Sequence, residues 1–140
     1  MEFFTAEGEV DFCGHATLAA FFVLASQGFI EQGCYTQQTK AGILHVAVDD
    51  SSIVMDQTKP LFRRAPHVKD IAYAIGISSD VITSTGLPIE IISTGLPDII
   101  VPVQTGHLDN LKPNFAAISK LSQEFNTIGF HVFELSNDKA

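Results

Sequence analysis

The chain has 140 residues and is acidic, with 8 lysines and arginines against 16 aspartates and glutamates and a formal net charge of −8. This charge argues against nucleic acid or an anionic membrane surface as a partner. A hydrophobic fraction of 46% is enough for a core, and no signal peptide or transmembrane span is visible. Cys13 and Cys34 follow no metal-ligand spacing and form no disulfide framework, so we expect a cytoplasmic protein with free thiols.

Two short strands are predicted at the N-terminus. Glu2–Thr5 is rich in apolar and β-prone residues, and Glu9–Phe12 alternates polar with apolar side chains. Glu7-Gly8 between them is predicted to form a turn.

The stretch Asp11–Gly28, DFCGHATLAAFFVLASQG, is the most informative part of the chain. A polar, glycine-containing turn is followed by a run of helix formers, and Gly28 is a C-terminal stop. Residues 18–25 are apolar at every position, so the predicted helix 15–27 has no polar face. The run is shorter than the roughly 20 residues that span a bilayer. We therefore expect this helix to be enclosed on all sides by other elements of a soluble protein.

The predicted helix opens at Cys13-Gly14-His15. The first turn of a helix carries free backbone N–H groups and a partial positive charge, and a glycine there permits close approach of a ligand. A carboxylate would therefore fit against Gly14 and His15. The alternative is that Gly14 only forms a turn and that His15 only caps the helix.

The middle of the chain predicts a hairpin, a linker and a helix. Residues 43–48 and 53–55 are β-prone and flank a turn-forming Asp-Asp-Ser-Ser segment. Lys59–Pro66 contains two prolines and is predicted to be a linker between two lobes. Val68–Ile75 has apolar residues spaced for one helical face, and Gly76 ends it.

In the last third, Ser-Thr-Gly-Leu-Pro occurs at 84–88 and again at 93–97, and we interpret the copies as two strand ends of similar local geometry. Strands are predicted at 89–92, 99–103 and 128–135, and a helix at 108–125. The histidines outside the helix opening show no spacing typical of a metal site, so no metal is predicted, and each is interpreted as a surface or hydrogen-bonded side chain: His45, His67, His107 and His131.

The segment TAEGEVDFCGHATLAAFFVL resembles the FTP-x-x-E-v-x-x-CGHATLA stretch of the PhzF-like proteins, relatives of phenazine biosynthesis protein F with the diaminopimelate-epimerase-like fold. The match is dense over Phe4–Leu24, and a looser match continues through STGLPDIIVPV to about Val132. The resemblance implies an α+β fold in which a mostly antiparallel, curved sheet, a partial barrel, surrounds a buried central helix. It also implies that residues 1–62 are the latter part of one lobe and residues 63–140 the first part of a second, similar lobe.

Full members of this family carry a Ser-Glu-Thr motif before the matched region, and its glutamate is the presumed acid–base residue. A second signature, approximately Glu-Asp-Pro-Val-Thr-Gly-Ser-Ala, follows the matched region. Neither motif occurs in these 140 residues, and Glu2, Glu7 and Glu9 do not match the position of the glutamate. The resemblance therefore implies a fragment covering about the middle half of a full member.

The resemblance implies an isomerase that moves a proton between carbon atoms of a small carboxylic acid, with no cofactor and no metal. Gly14, His15 and Ala16 are the candidate substrate-binding residues, and His15 would orient the substrate. Cys13 is a second catalytic candidate, because sister epimerases and racemases use a cysteine pair and a helix N-terminus lowers the pKa of a thiol. The alternative for Cys13 is a small buried residue without chemistry, and Cys34 lies outside any motif.

Three functions remain open for the chain. It could be an isomerase that is inactive in this truncated form, a non-catalytic binding or vestigial module, or one half of a split enzyme. Half a barrel leaves sheet edges and one side of an apolar helix uncovered, so we expect a homodimer or a larger homo-oligomer.

Overall fold

The computed structural model describes residues 1–5 and 8–135, and the chain forms two compact units, Met1–Lys59 and Pro60–Ala140. This division lies close to the boundary predicted after residue 62, while the assignment of each unit to a lobe of a larger fold stays a prediction. The Glu7 half of the predicted N-terminal turn is outside the described residues. The elements of the first unit are β1 (Phe3–Thr5), β2 (Gly8–Val10), α1 (Gly14–Ser26), β3 (Gly33–Thr39), β4 (Gly42–Val48) and β5 (Ile53–Met55).

The first unit contains a two-stranded antiparallel sheet, β1-β2, and a three-stranded antiparallel sheet in the order β3-β4-β5. Strand β4 pairs with β5 through Val46 opposite Met55, which confirms the predicted hairpin. Its side chains alternate, because Val46 and its neighbours two residues away are buried, while His45 faces outward as predicted. The sequence did not predict β3, since Gly33–Thr39 lacks a clear apolar alternation.

Helix α1 covers one face of this sheet. Phe21 packs with Val46 and Val48 in the core of the unit, whereas Phe22 is 64% exposed and Val23 is 48% exposed. The predicted enclosure of this helix on all sides is therefore wrong for the described residues. The physical reason is that a three-stranded sheet is wide enough to bury only one face of a helix.

The second unit has a four-stranded sheet in the order β6-β7-β8-β9, with antiparallel pairs except for the parallel pair β8–β9. Isoleucines and valines of its helices and of one sheet face form the core, including Ile71, Ile75, Ile82, Ile91 and Ile99. The mixed α+β class therefore agrees with the prediction, and the described strands form open sheets. The elements are β6 (Leu61–Arg64), α2 (Val68–Ile75), α3 (Ser79–Thr83), β7 (Glu90–Ser93), β8 (Pro97–Val103), a 3-10 helix (Leu108–Asn110), α4 (Phe115–Phe125) and β9 (Gly129–Glu134).

Three predictions in this unit are wrong. The helix predicted over 108–125 is interrupted, because Pro113 cannot donate a backbone hydrogen bond, and the helix restarts at Phe115. The predicted linker contains β6, which pairs with β7 along one edge. The two Ser-Thr-Gly-Leu-Pro copies differ in structure, since the first follows α3 and the second forms the turn between β7 and β8.

Gly76 ends α2 in the left-handed conformation, with φ of 72°. The chain returns to this point after the 3-10 helix, where the Lys112 N–H donates to the Ile75 carbonyl at 3.0 Å. A Cβ atom at position 76 would lie 2.3 Å from the Lys112 carbonyl oxygen. Glycine is therefore required here both by the backbone conformation and by the close approach of a second segment.

We predict that Gly76→Ala destabilises the second unit by more than about 2 kcal/mol, because the left-handed conformation costs about 1–2 kcal/mol and the clash with Lys112 adds to it. Gly86→Ala is a matched control, since Gly86 has φ of 70° and no neighbour within 4 Å of the added atom. Urea denaturation followed by far-UV circular dichroism measures both changes. Equal losses of stability in the two variants would show that the contact with Lys112 carries no energy.

Burial raises the pKa of Asp98 at the start of β8, while the charge of His131 and a hydrogen bond from the Gly129 backbone oppose the shift. The folded chain therefore binds this proton more tightly than the unfolded chain does. The charged carboxylate destabilises the fold at pH values above its folded pKa. This penalty fades as the pH falls through the folded pKa toward the ordinary value.

We predict that Asp98→Asn raises the melting temperature at neutral pH and that this gain shrinks toward zero in acid. Thermal unfolding across a pH series gives the comparison. Glu124→Gln, which neutralises an exposed carboxylate on α4, is the control. Its effect on the melting temperature is expected not to shrink as the pH falls. A gain from Asp98→Asn that stayed constant with pH would point to packing and not to charge.

Candidate functional site

The N-terminus of α1 lies where the sequence predicted it. Cys13 is the N-cap residue in an extended conformation, and its side chain makes no capping hydrogen bond. Its carbonyl accepts from Thr17 N–H at 3.0 Å, which begins the helical ladder. Within the described part of the chain, the backbone N–H groups of Gly14, His15 and Ala16 have no acceptor. Three donors of the first turn are therefore available to a ligand.

The other α-helices of the described residues all have a side-chain cap. His67 Nδ1 accepts from Lys69 N–H at the start of α2, and Ser78 Oγ accepts from Asp80 N–H at the start of α3. Asn114 Oδ1 accepts from Ala117 N–H at the start of α4. Helix α1 also has no acidic residue in its first turn. Its partial positive charge is therefore met neither by a capping side chain nor by an acidic residue of its own first turn.

The predicted site residues differ in their exposure. Cys13 and Gly14 are half-buried, while His15 and Ala16 are exposed. The His15 imidazole makes no hydrogen bond within the described residues, so the alternative in which it only caps the helix is not what this structure contains. Cys34 is exposed on β3 and forms no disulfide with Cys13.

The turn before the helix is held by apolar contacts and one backbone bond. Phe12 is buried, and the Asp11 carbonyl accepts from Ala41 N–H at 3.2 Å. A Cβ atom at Gly14 would lie 3.6 Å from Met55 Cε and 3.7 Å from the Phe12 ring, which are ordinary contact distances. Glycine is therefore not required by the packing of this chain at position 14.

A buried polar pair that sequence reasoning missed fixes this helix end to the sheet. Thr17 is fully buried and Gln37 is 5% exposed. The Thr17 hydroxyl donates to Gln37 Oε1 at 3.3 Å, or accepts from Gln37 Nε2 at 3.2 Å, and Gln37 Nε2 also contacts Met55 Sδ at 3.6 Å. His15 and Thr17 are the polar residues in the first turns of an otherwise apolar helix, and a threonine among apolar neighbours is the signal that could have indicated a buried partner.

We predict that Thr17→Val lowers the free energy of unfolding by about 1–3 kcal/mol, because the isosteric change leaves the buried Gln37 amide without its hydroxyl partner. Ser26→Ala on the same helix is the control, since Ser26 Oγ is exposed and bonds only to the Val23 carbonyl. Its effect is expected to stay within about 0.5 kcal/mol. Urea denaturation compares the two variants, and equal small losses would contradict an anchoring role for the pair.

The described residues contain no group of three or more histidine, cysteine, aspartate or glutamate side chains that could hold a metal ion. Among their helices, none has the length and hydropathy needed to cross a bilayer. A cavity of about 890 Å³ lies beside α1, and its lining does not include Cys13, Gly14, His15 or Ala16. The candidate site is therefore an open helix end and not a closed pocket.

Comparison with known sequences assigns the chain to a protein family. The family model described as phenazine biosynthesis-like protein matches residues 1–140. An uncharacterized isomerase of Clostridium acetobutylicum is 33% identical to this chain, and the match covers 99% of this chain and 48% of the relative. The uncharacterized isomerase YddE of Salmonella typhimurium is 32% identical, and the match covers 99% of this chain and 49% of the relative. The chain spans about half the length of the curated relatives it matches.

Solved structures agree with this assignment. The chain is similar to a phenazine biosynthesis protein of the PhzF family from Bacillus anthracis, with a TM-score of 0.80 and 32% identity over 99% of this chain and 49% of that one. It is also similar to a predicted epimerase from Pseudomonas aeruginosa, with a TM-score of 0.67 and 25% identity over 96% of this chain and 49% of that one. The family-model match over residues 1–140 and these relatives show that the chain belongs to the phenazine biosynthesis-like, or PhzF, family.

Proposed function

We propose that these residues supply the anion-binding helix end of a PhzF-like isomerase that acts on a small carboxylic acid in the cytoplasm by cofactor-independent proton transfer. The observation that carries the proposal is the uncapped N-terminus of α1, where three backbone donors and the positive end of the helix dipole meet no side-chain acceptor in the described residues. The names of the curated relatives, which are isomerases, support the reaction class.

In this proposal the backbone N–H groups of Gly14, His15 and Ala16 hold the substrate carboxylate or the negative charge that develops as a proton leaves carbon. The exposed His15 imidazole lies in the first turn and orients the substrate by a hydrogen bond. Cys13 is half-buried directly before these donors, so its thiol, like the His15 imidazole, is a side chain of the predicted site that could exchange a proton with a bound acid.

We further propose that the 140 residues alone do not catalyse isomerisation. General acid–base catalysis needs a positioned group within hydrogen-bond reach of the substrate carbon and typically contributes about 10² to 10⁴-fold in rate. The sequence contains neither the Ser-Glu-Thr motif nor the second signature of the family. A bound anion without those groups is held and not converted, which equally describes a non-catalytic module or one part of a split enzyme.

The binding step can be tested with acetate and benzoate as probes in ¹H–¹⁵N NMR titrations. We expect the largest amide shifts at residues 14–16, and a loss of at least about threefold in affinity with His15→Ala. His45→Ala is the matched control, because His45 is exposed on β4 in the same unit. Shifts at the capped start of α4 as large as those at α1 would mean that the probes bind any helix end and would remove the support for this site.

The catalytic step needs a separate measurement, because binding and turnover fail independently. The purified chain is incubated in deuterium oxide with L-alanine, L-proline or L-glutamate, and deuterium at the α-carbon is followed by NMR. We expect no exchange above the uncatalysed rate. Exchange at an enzymatic rate that Cys13→Ala abolishes would contradict the proposed inactivity and would identify Cys13 as a base of the racemase type.

A further inference from the structure

A buried glutamine lies on the face of β3 that α1 covers. The alternate residues Tyr35, Gln37 and Thr39 are the less exposed side chains of this strand, and the Tyr35 ring packs against Phe21 of α1 with ring centroids 6.0 Å apart. Only 5% of Gln37 is exposed. A leucine would fill such a position by packing alone, whereas a buried amide costs free energy unless its polar atoms are matched. The glutamine therefore indicates a role that packing does not supply.

The Gln37 amide contacts two side chains that support the first turn of α1. It meets the Thr17 hydroxyl at 3.2 to 3.3 Å, and its Nε2 lies 3.6 Å from Met55 Sδ. Thr17 is the residue whose N–H bonds to the Cys13 carbonyl and so closes the first turn. Met55 Cε lies beside Gly14, because a Cβ atom added there would be 3.6 Å from it. Gln37 therefore holds the far end of the turn and the side chain against which its near end rests.

The three unpaired backbone donors, at residues 14–16, lie between these two supports. Because they belong to the turn that runs from the Cys13 carbonyl to the Thr17 N–H, a slide or rotation of the helix redirects all three together. A hydrogen bond to an anion weakens steeply as its angle departs from linearity, so the strength of such a site depends on the direction of its donors. The apolar contacts around Phe21 have no direction, whereas one buried polar pair in an apolar interface can fix its register.

We propose that Gln37 is a positioning residue of the anion site: through Thr17 and Met55, it holds the backbone N–H groups of residues 14–16 in the direction that a carboxylate requires. This inference rests on the proposed function and deepens it, because it assigns the residue that sets the affinity of the helix end. The Gln37 amide is buried against α1, so it acts through the helix and not by contact with the anion. All the side chains involved belong to the first unit.

The test separates position from stability by means of the double variant Thr17→Val with Gln37→Leu. Each single change leaves a buried polar group unmatched, whereas the double change replaces both partners by apolar groups of similar size, which is often nearly neutral. We expect the urea midpoint of the double variant to recover to that of the unmodified chain. The dissociation constant for acetate, from ¹H–¹⁵N NMR titration, should still rise at least about threefold, because the donors are no longer preorganised.

A second measurement needs no anion. Order parameters from ¹⁵N relaxation are about 0.85 for rigid backbone, and we expect those of residues 14–16 to be lower in the double variant than in the unmodified chain. Gln38→Leu is the matched control, since Gln38 is exposed on the opposite face of the same strand, and it should change neither quantity. Thr17→Val alone, which removes only the hydroxyl, should also weaken acetate binding and serves if the double variant does not fold.

Unchanged acetate affinity and unchanged order parameters in a folded double variant would overturn the proposal and leave the pair a purely stabilising contact. An equal loss of affinity in Gln38→Leu would overturn it too, because the effect would then belong to the strand in general. If acetate does not bind at residues 14–16 of the unmodified chain, the proposed function fails. The order parameters alone then decide whether Gln37 positions the turn, so the two failures are distinguishable.

Discussion

The packing of α1 on the three-stranded sheet is the constraint on which the first unit depends. An apolar helix can slide or rotate on an apolar sheet at little cost, since the hydrophobic effect has no direction. The Thr17–Gln37 pair removes that freedom, because a buried hydroxyl or amide that loses its partner pays a desolvation penalty. Phe21 contributes buried apolar area, and Thr17 fixes the position of the helix along the sheet. The Gly14 end, and with it the site, is held by this polar contact together with the Ala41–Asp11 backbone bond and the buried Phe12 side chain.

Periodicity carried the sequence predictions that succeeded. Strand β4 alternates, and α2 has one apolar face ended by a glycine, so both elements were predicted with their bounds correct to within a residue. The failures have specific causes. Apolar residues on both sides of Pro113 continue a helical pattern that the proline interrupts, and the prolines around β6 hide a strand that pairs only at the sheet edge. A sequence pattern reports on the segment that carries it, whereas the pairing of an edge strand depends on the strand that lies next to it in the fold.

The sequence predicted where along the chain the candidate site lies, but not the hydrogen bonds that surround it. The Cys-Gly-His opening and its resemblance to the family indicated where the helix begins, and α1 begins at Gly14. The sequence did not indicate that the other helices would be capped by His67, Ser78 and Asn114 while α1 stays uncapped, because capping depends on a rotamer and a turn conformation. Gln37 was equally hidden, since a glutamine in a polar-looking strand is usually exposed.

The two ends of α1 place opposite electrostatic demands on what binds them. At Gly14 the unpaired donors favour an anion, and no acidic side chain of the first turn competes for them. At the other end, Glu31 and the Asp49-Asp50 turn add their charge to the negative end of the dipole, so a cation is favoured there. An anion and a cation are therefore favoured at opposite ends of the same helix.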